Sequence, residues 1–320
     1  MVPMKKESGE TPLVDDLRLI SGLRVKVHEP LAPYTSIKVG GPADYFLEVE
    51  DRAALVATLR LLNRYGISVH LLGKGSNVLV SDLGVRGAVL RLGKGFKQIA
   101  WQEKEGKLLV SVGAAYPVTQ LVREAARKGC SGLEFAEGIP GSVGGALVMN
   151  AGAYGSEMEK VVDRVEGVNR KGEPISFDRE GMVFSYRDSN LPWDTIVTEV
   201  RVRLVKAVAE EVGLKVRELV GRRKRSQPSG HPNAGSMFRN PPGDFAGRLI
   251  EAAGLKGKRV GMAEISDRHA NFIVNLGGAR AEDVRLLMEI ASREVRKKFA
   301  VELEPEVRPL GEWPTRRERE

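Results

Sequence analysis

Two glycine-dense segments limit what this chain can fold into. Gly73-Lys74-Gly75-Ser76-Asn77 follows the apolar run ISVHLL, and Gly138-Ile139-Pro140-Gly141-Ser142-Val143-Gly144-Gly145 continues into ALVMNAGAYG. Glycine at irregular positions serves backbone that takes positive φ or passes close to a neighbour. A row of small residues also leaves consecutive N–H groups free to line an anion. Either segment alone is equally well a tight turn. Two in one chain point to a large phosphate-bearing cofactor. Neither reads G-x-G-x-x-G, so a Rossmann dinucleotide site is not supported, and no G-x-x-x-x-G-K-[ST] P-loop occurs. The stretch Pro140 to Gly144 misses the G-x-S-x-G nucleophile elbow, because proline stands at the first glycine.

Charge narrows the ligand class. Fifty Lys and Arg against forty-two Asp and Glu leave +8, which suits phosphorylated or carboxylated small molecules as well as nucleic acid. Aromatic residues are 6% of the chain, sparse for a protein that stacks on single-stranded bases, so no nucleic-acid partner is expected. The densest basic run, Arg222 to Arg225, reads as a solvated helix end, a diphosphate-binding strip or a nucleic-acid patch. His28, His70, His231 and His269 are isolated, and no metal site is expected. Cys130 stands alone, excluding an internal disulfide and reading as a structural residue. No apolar run approaches the roughly 18 residues of a membrane span, and no apolar stretch follows the N-terminal lysines. A cytoplasmic protein without a membrane partner is expected.

The chain divides into three expected parts: residues 1–92, 93–206 and 207–320. Thr11 and Pro12 open a short helix, and two strand-like runs flank Gly40-Gly41-Pro42 in SIKVGGPADYFLEVE. Asp51 caps a helix carrying Leu55, Val56, Leu59 and Leu62, closed by Gly66. GKLLVSVGAAY leads into the helix PVTQLVREAARKG, residues 161–177 form a hairpin turning at Asn169 to Gly172, and TIVTEVRVRLV alternates as a strand. Beyond Lys206 a charged helix enters a segment crowded with Gly, Pro and Asn. It is followed by a helix near Asp244 to Ala253, the strand NFIVNL, a periodic helix from Ala281 to Phe299, the strand VELEPEVR and a solvated tail of about ten residues. The class is α+β.

Three polar groups lie along this frame. SYRDSN sets Arg187 beside Tyr186, and NAGSMFRNPP presents Ser236 with Arg239 and Asn240 close behind. ELEPEV places Glu304 and Glu306 two apart, on one side of a strand. An arginine, a hydroxyl and a carboxylate suit binding a small carboxylate and moving a proton. Each group alone is also ordinary solvated polarity.

In this order the segments TSIKVGGPAD, GKGSNVLVSD, GIPGSVGGALVMNAGAYG, SYRDSN, AGSMFRNP and LEPEV are familiar. From about Tyr34 to Leu310 the chain resembles the UDP-N-acetylenolpyruvoylglucosamine reductase family of bacterial peptidoglycan synthesis. The resemblance implies a two-lobed FAD-binding domain of the vanillyl-alcohol-oxidase and p-cresol-methylhydroxylase type, plus a C-terminal α+β substrate domain. It implies noncovalent FAD, held by Gly73, Lys74, Gly75, Ser76 and Asn77 and by Gly138, Ile139, Pro140, Gly141, Ser142, Gly144 and Gly145, since no histidine matches the one that bonds flavin covalently in some relatives. Arg187, Ser236 and Glu306 match the three catalytic residues. Tyr186, Arg239, Asn240 and Asn271 fall at positions that contact the UDP-sugar. Arg239 stands where the family often has lysine. Only LPWD separates SYRDSN from the next strand, so the chain resembles the subclass without an inserted tyrosine loop, and the Arg222–Arg225 run is one candidate to close over the substrate.

The implied reaction passes a hydride from NADPH through FAD to the vinyl carbon of the UDP-sugar enolpyruvyl ether. Arg187 and Glu306 would stabilise the enolate, and Ser236 would protonate the carbanion. A monomer is expected. The competing readings are a flavin-dependent oxidase of a small alcohol and a basic nucleic-acid-binding protein.

Overall fold

The computed structural model describes residues 12–104 and 107–313, so the Thr11 cap and residues 314–320 lie outside the described residues. The first unit opens with helix α1 (Pro12–Arg18), which buries Leu13, Val14 and Leu17. Its four-stranded sheet runs Leu23–Pro30, Pro42–Val49, Val85–Leu92, Val69–Leu71 in spatial order. The first pair is antiparallel and the others parallel. Helix α2 (Arg52–Arg64) makes the crossover that parallel neighbours require. The Asp51 carboxylate accepts from the Ala54 amide at 2.8 Å, as its position predicts. Leu55, Leu59 and Leu62 bury fully against the sheet, and Gly66 takes φ +67° beyond the last turn.

The second unit is an antiparallel sheet in the order Pro174–Asp178, Val162–Val168, Ile196–Lys206, Lys107–Gly113, Ile99–Lys104. Cys130–Ser131 pairs with the end of its long central strand. Helices α3 (Val118–Arg127) and α4 (Val143–Val148) bury Leu121, Val122 and Leu147 against that sheet. Cys130 is buried and free. Helix α5 (Ala209–Ser226) packs Val212 and Val216 into this same core, so the charged helix after Lys206 belongs by contact to the second unit. The third unit has strands in the order Asn233–Ser236, Phe272–Asn275, Ala263–Ile265, Arg259–Val260, covered by α6 (Ala246–Ala252) and α7 (Ala281–Phe299).

Three expectations are corrected. VELEPEVR is not a strand: it crosses from the third unit back to the first, making one bridge, Phe238 to Pro305, before Arg308–Leu310 pairs parallel with Val78–Val80. Proline at 305 has no N–H to continue a ladder. Glu304 is therefore exposed while Glu306 turns inward, and the two do not share a face. SIKV is likewise irregular, because Ile37 and Val39 are drawn into the third unit's core, where the Asn275 amide donates to the Ile37 carbonyl at 2.9 Å. The start of the expected tail is attached, with Trp313 packed on that core and the Glu312 amide donating to the Gly84 carbonyl.

Candidate active site

The two glycine segments face each other across a cleft between the units. The Ser76 hydroxyl donates to the Pro140 carbonyl at 3.0 Å. A Cβ on Gly73 would lie 3.1 Å from Ser142 Oγ, and one on Gly141 would lie 3.2 Å from Ser76 Oγ. Gly75 has φ +64°, and its absent side chain leaves room for the Tyr34 carbonyl, which a Cβ would overlap. The strain is conformational as well as steric, since only glycine adopts this φ freely. None of the five backbone N–H groups from Gly73 to Asn77 donates to another described residue. Five adjacent orphan donors at the wall of a cleft fit the diphosphate of a dinucleotide.

The cavity holds about 560 Å³. It is lined by six cations, Lys74, Arg91, Lys97, Arg187, Arg223 and Arg308, against two carboxylates, Glu48 and Glu306. Such an excess concentrates anions in a low-dielectric cleft. Burial, with Lys97 nearby, lowers the Lys74 pKa. The buried Thr195 hydroxyl also lines the cleft without a partner. Among the described residues no His, Cys, Asp or Glu grouping could hold a metal, and no helix is long and apolar enough to cross a membrane.

Arg187, Ser236 and Glu306 line the same cleft. Phe184–Ser185 pairs with Asp188–Ser189, which leaves Tyr186 and Arg187 as the two turn residues. Arg187 takes φ +60°. The turn is fixed from behind by the buried Asn150, whose amide donates to the Ser185 carbonyl at 3.1 Å. Arg187 Nε donates to Glu306 Oε1 at 2.9 Å and Nη2 to the Gly152 carbonyl at 3.0 Å. Ser236 ends its strand opposite Phe272. The next residue, Met237, accepts the Glu306 amide on its carbonyl at 2.8 Å, which sets serine and glutamate side by side. Burial raises the Glu306 pKa, and the guanidinium groups of Arg187 and Arg239 oppose that rise.

The remaining candidates divide by placement. Lys74, Ile139, Pro140, Ser142, Gly144 and Gly145 line the cleft beside the other glycines. Asn77 also lines the cleft, where its side chain donates to the Glu306 carbonyl at 3.2 Å. Gly138 supports Arg223 from behind, as described below. Tyr186 stacks on the Arg187 guanidinium at 4.9 Å. Asn240 and Asn271 both hold backbone in this structure. Asn240 Oδ1 accepts from the Ala246 amide at the start of α6. Asn271 is 3% exposed, and both ends of its amide bind the Phe238 backbone, at 2.9 and 2.8 Å. These asparagines shape the Ser236 loop. Of the basic run only Arg223 reaches the cleft. Its sequence signal was the stripe Val212, Val216, Leu219, which Arg223 continues at helical spacing. Arg308 follows Glu306 by two residues and lines the same cleft.

Residues 227–310 match the family model of the UDP-N-acetylenolpyruvoylglucosamine reductase C-terminal domain, and residues 43–178 match that of an FAD binding domain. A UDP-N-acetylenolpyruvoylglucosamine reductase from Symbiobacterium thermophilum is 46% identical over 95% of this chain and 98% of its own. The chain belongs to this reductase family. A relative of the same name from Halalkalibacterium halodurans is 42% identical over 94% of this chain and 99% of its own. The crystal structure of the Thermus caldophilus reductase is similar with a TM-score of 0.76 and 41% identity, covering 90% of this chain and 98% of that one. The protein is accordingly an FAD-dependent oxidoreductase, and the fold is the FAD-binding domain joined to the reductase C-terminal domain.

Proposed function

We propose that this reductase uses Arg187, Ser236 and Glu306 to turn UDP-N-acetylglucosamine enolpyruvate into UDP-N-acetylmuramate, with NADPH as reductant. The observation that carries the assignment is the convergence of three distant segments on one cleft whose wall also carries a run of unpaired amides. FAD, when bound, relays a hydride from NADPH to the vinyl carbon. The amides of Gly73 to Asn77 and the loop Pro140 to Gly145 would hold its diphosphate. Among the described residues no histidine and no cysteine lines the cleft, which supports noncovalent binding.

Negative charge then develops at the carbon beside the substrate carboxylate. Arg187 stays charged throughout and needs no reorientation, because Gly152 and Glu306 fix its fork. Glu306, raised by its burial, can hold a proton against that carboxylate. Ser236 donates its hydroxyl proton to the carbanion. Arg223 and Arg308 offer cations to the UDP diphosphate, with Arg239 and Tyr186 beside the triad. The cleft is complete within one chain, which supports a monomer, and a need for NADPH supports the cytoplasm.

Ser236→Ala tests the proton step. Stopped-flow absorbance should show reduction by NADPH nearly unchanged and the half-reaction with the enolpyruvyl substrate slowed about 10²–10⁴-fold, roughly 3–5 kcal/mol of barrier. Equal slowing of both halves would indicate a damaged cofactor site and remove the assignment.

A further inference from the structure

Arg223 enters the cleft through a gap that glycine keeps open. Gly138 has φ +77°, and a Cβ there would lie 2.7 Å from Arg223 Cδ. The Arg223 guanidinium lines the cleft, and no carboxylate of a described residue lies within ion-pair distance of it. The residue before the glycine is Glu137, 1% exposed. Its two oxygens are used differently. Oε1 accepts from Arg123 Nε at 3.2 Å and Nη2 at 2.8 Å, on the outward side of α3. Oε2 is buried and has no hydrogen-bond donor. Burial lowers the Arg223 pKa, and the nearby Tyr154 and Glu137 work against that shift.

We propose that Glu137 is a positioning residue, its buried carboxylate tethered by Arg123 and acting as the fixed countercharge that holds Arg223 at the cleft. A direct ion pair would occupy the guanidinium donors and have to break when an anionic ligand arrived. A carboxylate one step removed attracts the cation while leaving those donors uncommitted. Gly138 and Glu137 then act together: one provides the passage, the other the charge that keeps Arg223 in it. The inference rests on the reading above, in which Arg223 meets the substrate diphosphate.

The test compares Glu137→Gln, Arg223→Ala and the double variant as FAD-loaded enzymes. Arg223→Ala should raise KM for the UDP-sugar about 10- to 100-fold, the scale of a lost charge-assisted contact. Glu137→Gln keeps the shape and the Arg123 bond but loses the charge. It should raise that KM about fivefold, with kcat and KM for NADPH within about twofold, and the double variant should be no worse than Arg223→Ala. Glu137→Asp, which keeps the charge, should recover most of the affinity, and a KM for the UDP-sugar raised as far as in Glu137→Gln would also overturn the inference. A raised KM in Arg223→Ala with none in Glu137→Gln, or fully multiplicative effects, overturns the inference and leaves the Arg223 reading intact. An unchanged KM in Arg223→Ala removes the Arg223 reading and the inference together. Equal loss of both substrates' KM and of flavin content in Glu137→Gln would show a merely structural carboxylate and also overturn it.

Discussion

Replacing Arg187 by glycine should leave a more stable protein than replacing it by alanine. Both variants lose the same side-chain contacts, the bonds to Glu306 and Gly152 and the stack with Tyr186, so those losses cancel in the comparison. What remains is the backbone, at φ +60° in a two-residue turn. At an ordinary position glycine is less stable than alanine by about 0.5–1 kcal/mol, because the unfolded chain has more freedom. In the left-handed region an L side chain costs roughly 1–2 kcal/mol. The difference favours glycine by about 0.5–1 kcal/mol. For a chain of this size that is roughly 1–2 °C in Tm, readable by calorimetry on FAD-loaded protein at one pH. Both variants should lose about 10²–10³ in kcat, the scale of removing one preorganised charge donor. Alanine equal to or more stable than glycine would refute the claim that the turn is strained at the residue the chemistry requires.

Further outcomes concern the same site. The Glu306 pKa is raised above 4.5, so its contribution to stability is fully present below that value and is lost as pH rises through the folded pKa. Glu306→Gln should therefore gain stability relative to the parent on going from pH 4.5 to pH 8, and a pH-independent difference in Tm would contradict this sign. Gly75→Ala forces a Cβ onto the Tyr34 carbonyl at φ +64° and to 2.8 Å from Thr35 Cα. The purified variant should carry less FAD per chain, and full flavin content would argue against the amide cradle. Asn271→Ala strands two backbone groups of Phe238, which should cost about 2–4 kcal/mol in denaturant unfolding. A loss under 0.5 kcal/mol would mean that the loop does not depend on that amide.

Local signals were legible and long-range ones were not. Asp51, Gly66 and the stripe of α2 act within one turn, so the residues alone locate that helix. The glycine segments announced close approach, and their facing geometry bears that out, but which neighbour each approaches is set across more than sixty residues. Leu23–Pro30 carries a period-2 signal, with Leu23, Val25 and Val27 alternating with Arg24, Lys26 and His28, that the expected elements do not include. VELEPEVR has a good strand pattern, yet its partners are split between two units and Pro305 interrupts it. Asn240 and Asn271 hold backbone of the Ser236 loop. Nothing in their spacing shows which way an amide points. Helical phase was a further unused cue, since it separates Arg223 from its exposed neighbours.

The segment from Glu306 to Glu312 closes the site from the far end of the chain. Asn77 reaches the Glu306 carbonyl across 229 residues, the Ser81 hydroxyl reaches the Glu312 carbonyl across 231, and Arg308–Leu310 supplies the parallel partner of Val78–Val80. During synthesis at about 5–20 residues per second, the amide cradle would wait roughly 10–50 s for the strand and carboxylate that complete it. Until then Val78–Val80 presents an unpaired apolar edge, the kind of surface on which nascent chains associate wrongly. A chain stopped before Glu306 would hold nearly all of the cofactor-binding fold, with Arg187 and Ser236 in it, and lack the carboxylate and the strand that complete the site.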